Sequence, residues 1–141
     1  MTGTLPKACL WSAIFLMVAV QAAAAEHTKD SLKDVRSNIE KEKAVLVDVR
    51  EPKEWKAGHV QDAVLLSLSE LSRGIDREKL AERLPKDTIL YTHCAVGKRS
   101  LVAAEILTKH GYEVRPLKAG YKDLLQAGFK RAEEKSPLQQ E

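Results

Sequence analysis

The chain has 141 residues, 23 lysines and arginines against 20 aspartates and glutamates, a net charge of +3, and two cysteines. That length supports one small domain with one core. The basic residues interleave with acidic ones, which excludes a nucleic-acid surface.

The first 25 residues have the pattern of a secretory signal peptide. Lys7 gives a basic start, an apolar run follows from Leu10 to Val20, and Ala23-Ala24-Ala25 supplies small residues before Glu26. Cleavage there predicts a periplasmic protein without stable membrane insertion, of net charge +2, in which Cys9 is lost and Cys94 is the single cysteine. There is no glycosylation sequon, since Asn38 is followed by Ile39 and Glu40. A lone cysteine in an exported domain reads as a free, reactive thiol or as one that pairs between molecules.

From Glu26 onward the pattern is alternating helix and strand. Ser31-Leu32-Lys33-Asp34 has the form of a capping box, and Leu32, Val35 and Ile39 recur at helical spacing, so a helix is predicted to about Lys41. Ala44–Val49 is an apolar run rich in β-branched residues, as in a strand buried on both faces of a parallel sheet. Glu51 to Trp55, with Pro52 in its first turn, predicts a short helix ended by Gly58. Ala63–Leu66 reads as a strand and Ser69–Arg73 as one helical turn. Asp76 is placed to cap a helix over Arg77–Leu84, closed by Pro85. Thr88–Thr92 is a third strand, Ser100–His110 a helix with Gly111 at its C-terminal cap, Glu113–Arg115 a fourth strand and Tyr121–Ala127 a last helix before Gly128. From Lys130 the sequence is charged and Pro-interrupted, which predicts a mobile tail over 130–141. The result is one α/β domain over 26–129.

Ligands of parallel sheets bind at the carboxyl ends of strands. Cys94 follows the end of one strand, and Asp48 and Arg50 end another. Cys94-Ala95-Val96-Gly97-Lys98-Arg99-Ser100 joins strand to helix. Such a loop curls its N–H groups inward, Gly97 permits an unusual backbone angle, and the helix start adds about half a positive charge. Lys98 and Arg99 add full charges. All of this favours an ionised sulfur, so Cys94 is the candidate nucleophile and needs no separate base. A carboxylate close to a thiolate would oppose it, so Asp48 is read as a bracing partner. Arg50 is open between bracing and substrate contact. His59 reads as a turn or packing residue and Trp55 as core. His93 adjoins the nucleophile and is open between tuning it and, by strand alternation, facing the other side of the sheet. The four histidines have no ligand-type spacing.

These segments together resemble the rhodanese family of sulfurtransferases. Asp48-Val49-Arg50-Glu51, Glu54-Trp55 and Gly58-His59-Val60 are similar to its D-x-R-x…E-[FWY]…G-H-[IV] segment. Cys94 to Ser100 is similar to its C-x-x-G-x-R-S loop, and Leu117-Lys118-Ala119-Gly120-Tyr121 to its late glycine turn. Two places depart from the pattern: Gln61-Asp62-Ala63 stands where the family has P-G-A, and Ala119 replaces the first of two late glycines. An early edge strand common in the family is not evident before the first helix.

The resemblance implies a central, mostly parallel sheet of four to five strands with helices on both faces. It implies that the Cys94 thiolate takes a sulfur atom from thiosulfate or a similar donor as a persulfide. Backbone N–H groups from Ala95 to Ser100 would cradle that sulfur, and Lys98 and Arg99 would contact the donor sulfonate. Cyanide or a thiol then accepts the sulfur, with no cofactor and no metal. A sulfur-acceptor protein is an open partner, in which case the domain is a persulfide carrier or binding module. The rival within the same fold is a phosphatase or arsenate reductase. Protein tyrosine phosphatases carry five residues between Cys and Arg, whereas Cys94 and Arg99 have four between them, a narrower cradle suited to one sulfur atom. A thiol redox protein is disfavoured, because no second cysteine stands near Cys94.

Overall fold

A computed structural model describes residues 24–133 of the chain. The expected signal peptide therefore falls almost wholly outside the described residues. Four strands form one sheet: β1 (Ala44–Asp48), β2 (Val64–Leu65), β3 (Ile89–His93) and β4 (Val114–Pro116). Their order is β2-β1-β3-β4, and every pairing is parallel. Six helices connect and flank them: α1 (Leu32–Glu40), α2 (Pro52–Ala57), α3 (Leu68–Ser72), α4 (Arg77–Arg83), α5 (Lys98–Lys109) and α6 (Tyr121–Gln126).

Alternation along β1 and β3 divides the core. Ala44, Leu46 and Tyr91 pack with Val35 of α1 and Leu124 of α6 on one face. Val47, Val49, Leu90 and Cys94 pack with Leu71 of α3, Leu80 of α4 and Ala103 and Leu107 of α5 on the other. The two central strands are apolar on both faces because both faces are covered. α2 buries no residue. It stands at the carboxyl end of β1, where it presents a side chain to the loop after β3.

Local chemistry explains most boundaries. Ser31 Oγ accepts the Asp34 N–H at 3.1 Å while the Asp34 carboxylate accepts the Ser31 N–H at 3.2 Å, the reciprocal cap read from the sequence. α3 begins at Leu68, earlier than expected, because Ser67 Oγ caps Glu70 N–H at 3.3 Å. α5 begins at Lys98, two residues before the expected Ser100. Gly97 is its cap with φ 87°, a conformation with no side-chain signature beyond glycine itself. Asp62, standing where the family pattern has glycine, has φ 63°. Aspartate tolerates that region, so the turn survives the substitution.

Two expectations are corrected. Trp55 is not core: it is half-buried and stacks on His59 with ring centroids 3.6 Å apart. The segment from Lys130 does not start as a mobile tail. Gln61 N–H donates to Lys130 O at 2.8 Å, Ala132 N–H to His59 O at 2.9 Å, and Val60 bridges Arg131 in antiparallel fashion. Those bonds return the chain across the segment after α2. Residues 134–141 lie outside the described residues. Among the described residues before α1, 24–31, there is no strand; that stretch attaches beside β4 through Thr28 N–H to Pro116 O at 2.8 Å.

Candidate active site

The carboxyl ends of β1, β3 and β4 bring three loops together. The first carries Asp48 and Arg50. Arg50 Nε and Nη2 donate to both Asp48 oxygens at 2.7–3.1 Å, and Nη2 also reaches Gly58 O at 2.8 Å. The guanidinium lies 4.2 Å from the centroid of the Tyr121 ring. Both residues are buried, so the pair is a closed brace tying the end of β1 to the end of α2 and the start of α6. His93 pairs in register with Asp48 and shares its face. Its Nε2 lies 3.5 Å from Asp48 Oδ2, and its Nδ1 lies 3.4 Å from Cys94 O. Burial pushes the His93 imidazole below its usual range, against the upward pull of Asp48. His93 is thus a neutral ring, turned away from the sulfur of its neighbour.

The second loop carries Cys94, which is fully buried and free. Its Sγ accepts the Gly97 N–H at 3.0 Å. A Cβ on Gly97 would stand 2.7 Å from Lys118 O, and the positive φ is itself unfavourable for a side chain, so the residue is held to glycine twice over. α5 directs its N-terminus at this turn. The Ser100 hydroxyl does not face the sulfur. It lies 2.8 Å from both Gly97 O and Leu117 O and staples the loop to the strand end beside it. Thr92 Oγ1 donates to Ser100 O at 3.0 Å. Ala95 and Val96 form an exposed tip, Val96 being 72% exposed.

Lys98 and Arg99 diverge. Lys98 is exposed, whereas Arg99 donates to both oxygens of Glu54 at 2.7 and 2.9 Å. Glu54 Oε2 also accepts the Glu51 N–H at 2.9 Å. The Arg99 hydrogen bonds hold the Glu54 carboxyl down at about 2, and the same bonds raise Arg99.

The third loop is Leu117–Gly120. Tyr121 N–H donates to Cys94 O at 3.0 Å. An added Cβ at Gly120 would meet Ala95 O at 1.7 Å, so the turn and the cysteine loop are in backbone contact. Two contributors were not singled out from the sequence. His27 Nε2–H donates to Gly97 O at 2.8 Å from 70 positions away, a contact no local pattern announces. Lys122 lines the depression over the loop tip, about 330 Å³, together with Arg50, Glu54, Ala95, Val96 and Tyr121. Among the described residues no group of three or more His, Cys, Asp or Glu is placed to hold a metal ion.

The chain is thus an all-parallel α/β domain with a cysteine loop between strand and helix, its sulfur accepting a backbone N–H. Residues 31–127 match the Rhodanese-like domain family, and the chain belongs to that family. It is 33% identical over 79 residues to the thiosulfate sulfurtransferase PspE of Escherichia coli, covering 55% of this chain and 71% of that protein. It is 37% identical over 81 residues to YqhL of Bacillus subtilis, covering 57% of this chain and 60% of the relative. A crystal structure of a rhodanese-related protein from Thermoplasma volcanium superposes with a TM-score of 0.59 at 29% identity, over 73% of this chain and 95% of that one. The fold expected from the sequence is therefore the one found, with four strands, all parallel.

Proposed function

We propose that the chain is a sulfurtransferase that carries a sulfane sulfur on Cys94 from thiosulfate, or a similar anionic donor, to cyanide or a thiol. The observation that carries this reading is the Gly97 N–H on Cys94 Sγ at 3.0 Å, in a loop with only four residues between Cys94 and Arg99. So tight a turn suits a single added sulfur rather than a phosphoryl group. The sulfurtransferase name of the E. coli relative supports it.

In the first step the Cys94 thiolate attacks the outer sulfur of thiosulfate. The new S–S bond forms as the donor's S–S bond breaks, and the bonding pair leaves with sulfite. The persulfide stays under the Gly97 N–H. In the second step the acceptor attacks the outer sulfur of the persulfide, and the Cys94 thiolate is restored. No cofactor takes part. Because Sγ is buried, the donor enters over the exposed Ala95–Val96 tip. Export to the periplasm belongs to the same proposal: a chain beginning at Glu26 keeps His27 and all three loops.

A persulfide carrier serving an acceptor protein is the second reading, favoured by the exposed Val96 at the rim. The test is a thiosulfate:cyanide assay on the full chain beside Cys94→Ser, with intact mass after thiosulfate. Turnover and a gain of about 32 Da, one sulfur atom, both lost in Cys94→Ser, are expected. A stable adduct with little turnover on small acceptors selects the carrier. Hydrolysis of an aryl phosphate with no sulfur gain overturns both in favour of a phosphatase.

A further inference from the structure

The sulfonate of an anionic donor needs a positive partner outside the sulfur cradle. The two loop cations, Lys98 and Arg99, are poorly placed to supply it. Arg99 is closed in a two-bond pair with Glu54, whose second oxygen is fixed by the Glu51 N–H. An anion could win Arg99 only by displacing that carboxylate, which lines the depression. Lys98 is exposed and does not line the depression.

The depression over the loop tip contains three other charged or aromatic features. Arg50 is neutralised by Asp48 and covered by the Tyr121 ring. Tyr121 is bonded through its backbone to Cys94 O at 3.0 Å, which fixes the following residue beside the cysteine loop. That residue is Lys122. It is exposed and, among the described residues, has no carboxylate within ion-pair distance. The other charged side chains lining the depression, Arg50 and Glu54, are each cancelled by a bonded partner.

From this we infer that Lys122 is the donor-selecting residue of the site. Its ammonium takes the sulfonate end of thiosulfate, or the anionic end of a comparable donor, while the outer sulfur is directed over Ala95 toward Cys94. The inference rests on the sulfurtransferase reading and assigns its anion contact to the start of α6 rather than to the cysteine loop. An uncompensated lysine on an open depression gives selectivity for charge with little demand on shape, since an ammonium is a compact point charge with rotatable donors.

The experiment is steady-state kinetics of the full chain with thiosulfate and cyanide, comparing Lys122→Ala, Lys122→Arg, Lys43→Ala and Lys109→Ala. Lys43 and Lys109 are exposed lysines at the other end of the sheet, just before β1 and at the last residue of α5. Lys122→Ala is expected to raise KM for thiosulfate about tenfold with kcat within about twofold, the effect of one charge-assisted contact open to solvent. Lys122→Arg is expected to restore most of the affinity, and the other two variants to change KM by less than about twofold. An unchanged KM in Lys122→Ala overturns the assignment, as does an equal rise in all three alanine variants, which would mean a general positive field. A parallel titration of thiosulfate into Cys94→Ala, followed by NMR shifts, separates the two layers. Binding that needs Lys122 supports the contact even without turnover. Wild-type chain that gains no sulfur and turns nothing over overturns the sulfurtransferase reading instead.

Discussion

At the scale of single residues, the site depends on backbone more than on side chains. Gly120 has an ordinary negative φ, so its requirement is space: Ala95 O occupies the volume of any Cβ. Gly120→Ala should push the Leu117–Gly120 turn off the cysteine loop and lengthen the Tyr121 N–H to Cys94 O bond. We expect thiosulfate turnover to fall at least about a hundredfold, by displacement of the reacting geometry on the order of 1 Å. Loss of the sulfur adduct by mass would accompany it, while retention of both would show that the loops are not coupled through this contact. The sequence pointed at Gly120 only as part of a turn. Its crowding against Ala95 is a contact across 25 positions and has no local signature.

At the scale of elements, α2 and α5 are joined end to end by Glu54 and Arg99. Sequence periodicity located both helices but not the link between them, because ion-pair partners 45 positions apart leave no pattern. The sign of its pH dependence follows from the Glu54 carboxyl, held at about 2 in the fold against an ordinary 4.5. The unfolded chain takes up the proton first as pH falls. The contribution of the pair is therefore complete above about 4.5 and is lost between there and about 2. Both side chains are about one-third exposed, which limits the pair to about 1 kcal/mol. Urea unfolding of wild type and Glu54→Gln should differ by about that much at pH 7, with the difference shrinking below about pH 4.5 and nearly gone by about pH 2. A difference that persists to pH 2 would place the effect of Gln in packing, not charge.

At the scale of the whole molecule, one core layer serves both stability and site. Cys94 belongs to the same buried cluster as Leu80, Leu90 and Leu107, between the sheet and α3, α4 and α5. Leu107→Ala should cost about 2–5 kcal/mol in urea unfolding by leaving a cavity under α5. Because α5 carries the helix start above the sulfur, turnover should drop as well in the still-folded variant. Leu124→Ala, on the opposite face, tests the reverse side through α6. A loss of stability with full activity in Leu107→Ala would show that the cysteine loop is held by its own hydrogen bonds, those of Ser100, Thr92 and Gly97, independently of the layer beneath it.

What the sequence determined by itself was local and periodic. The β-branched run of β1, the reciprocal cap of Ser31 and Asp34, Pro52 at the head of α2, and the four-residue spacing from Cys94 to Arg99 all act within one turn or one strand, so their physics is written in adjacent residues. The tertiary structure decided which charges meet. It paired Arg99 with Glu54, brought His27 onto Gly97, took Trp55 out of the core and, among the described residues, left Lys122 without an ion-pair partner at the mouth. Each of these depends on distances between segments remote in the chain. Coulombic and hydrogen-bond partners are chosen by proximity in space, which exists only once the parallel sheet has gathered the ends of its strands.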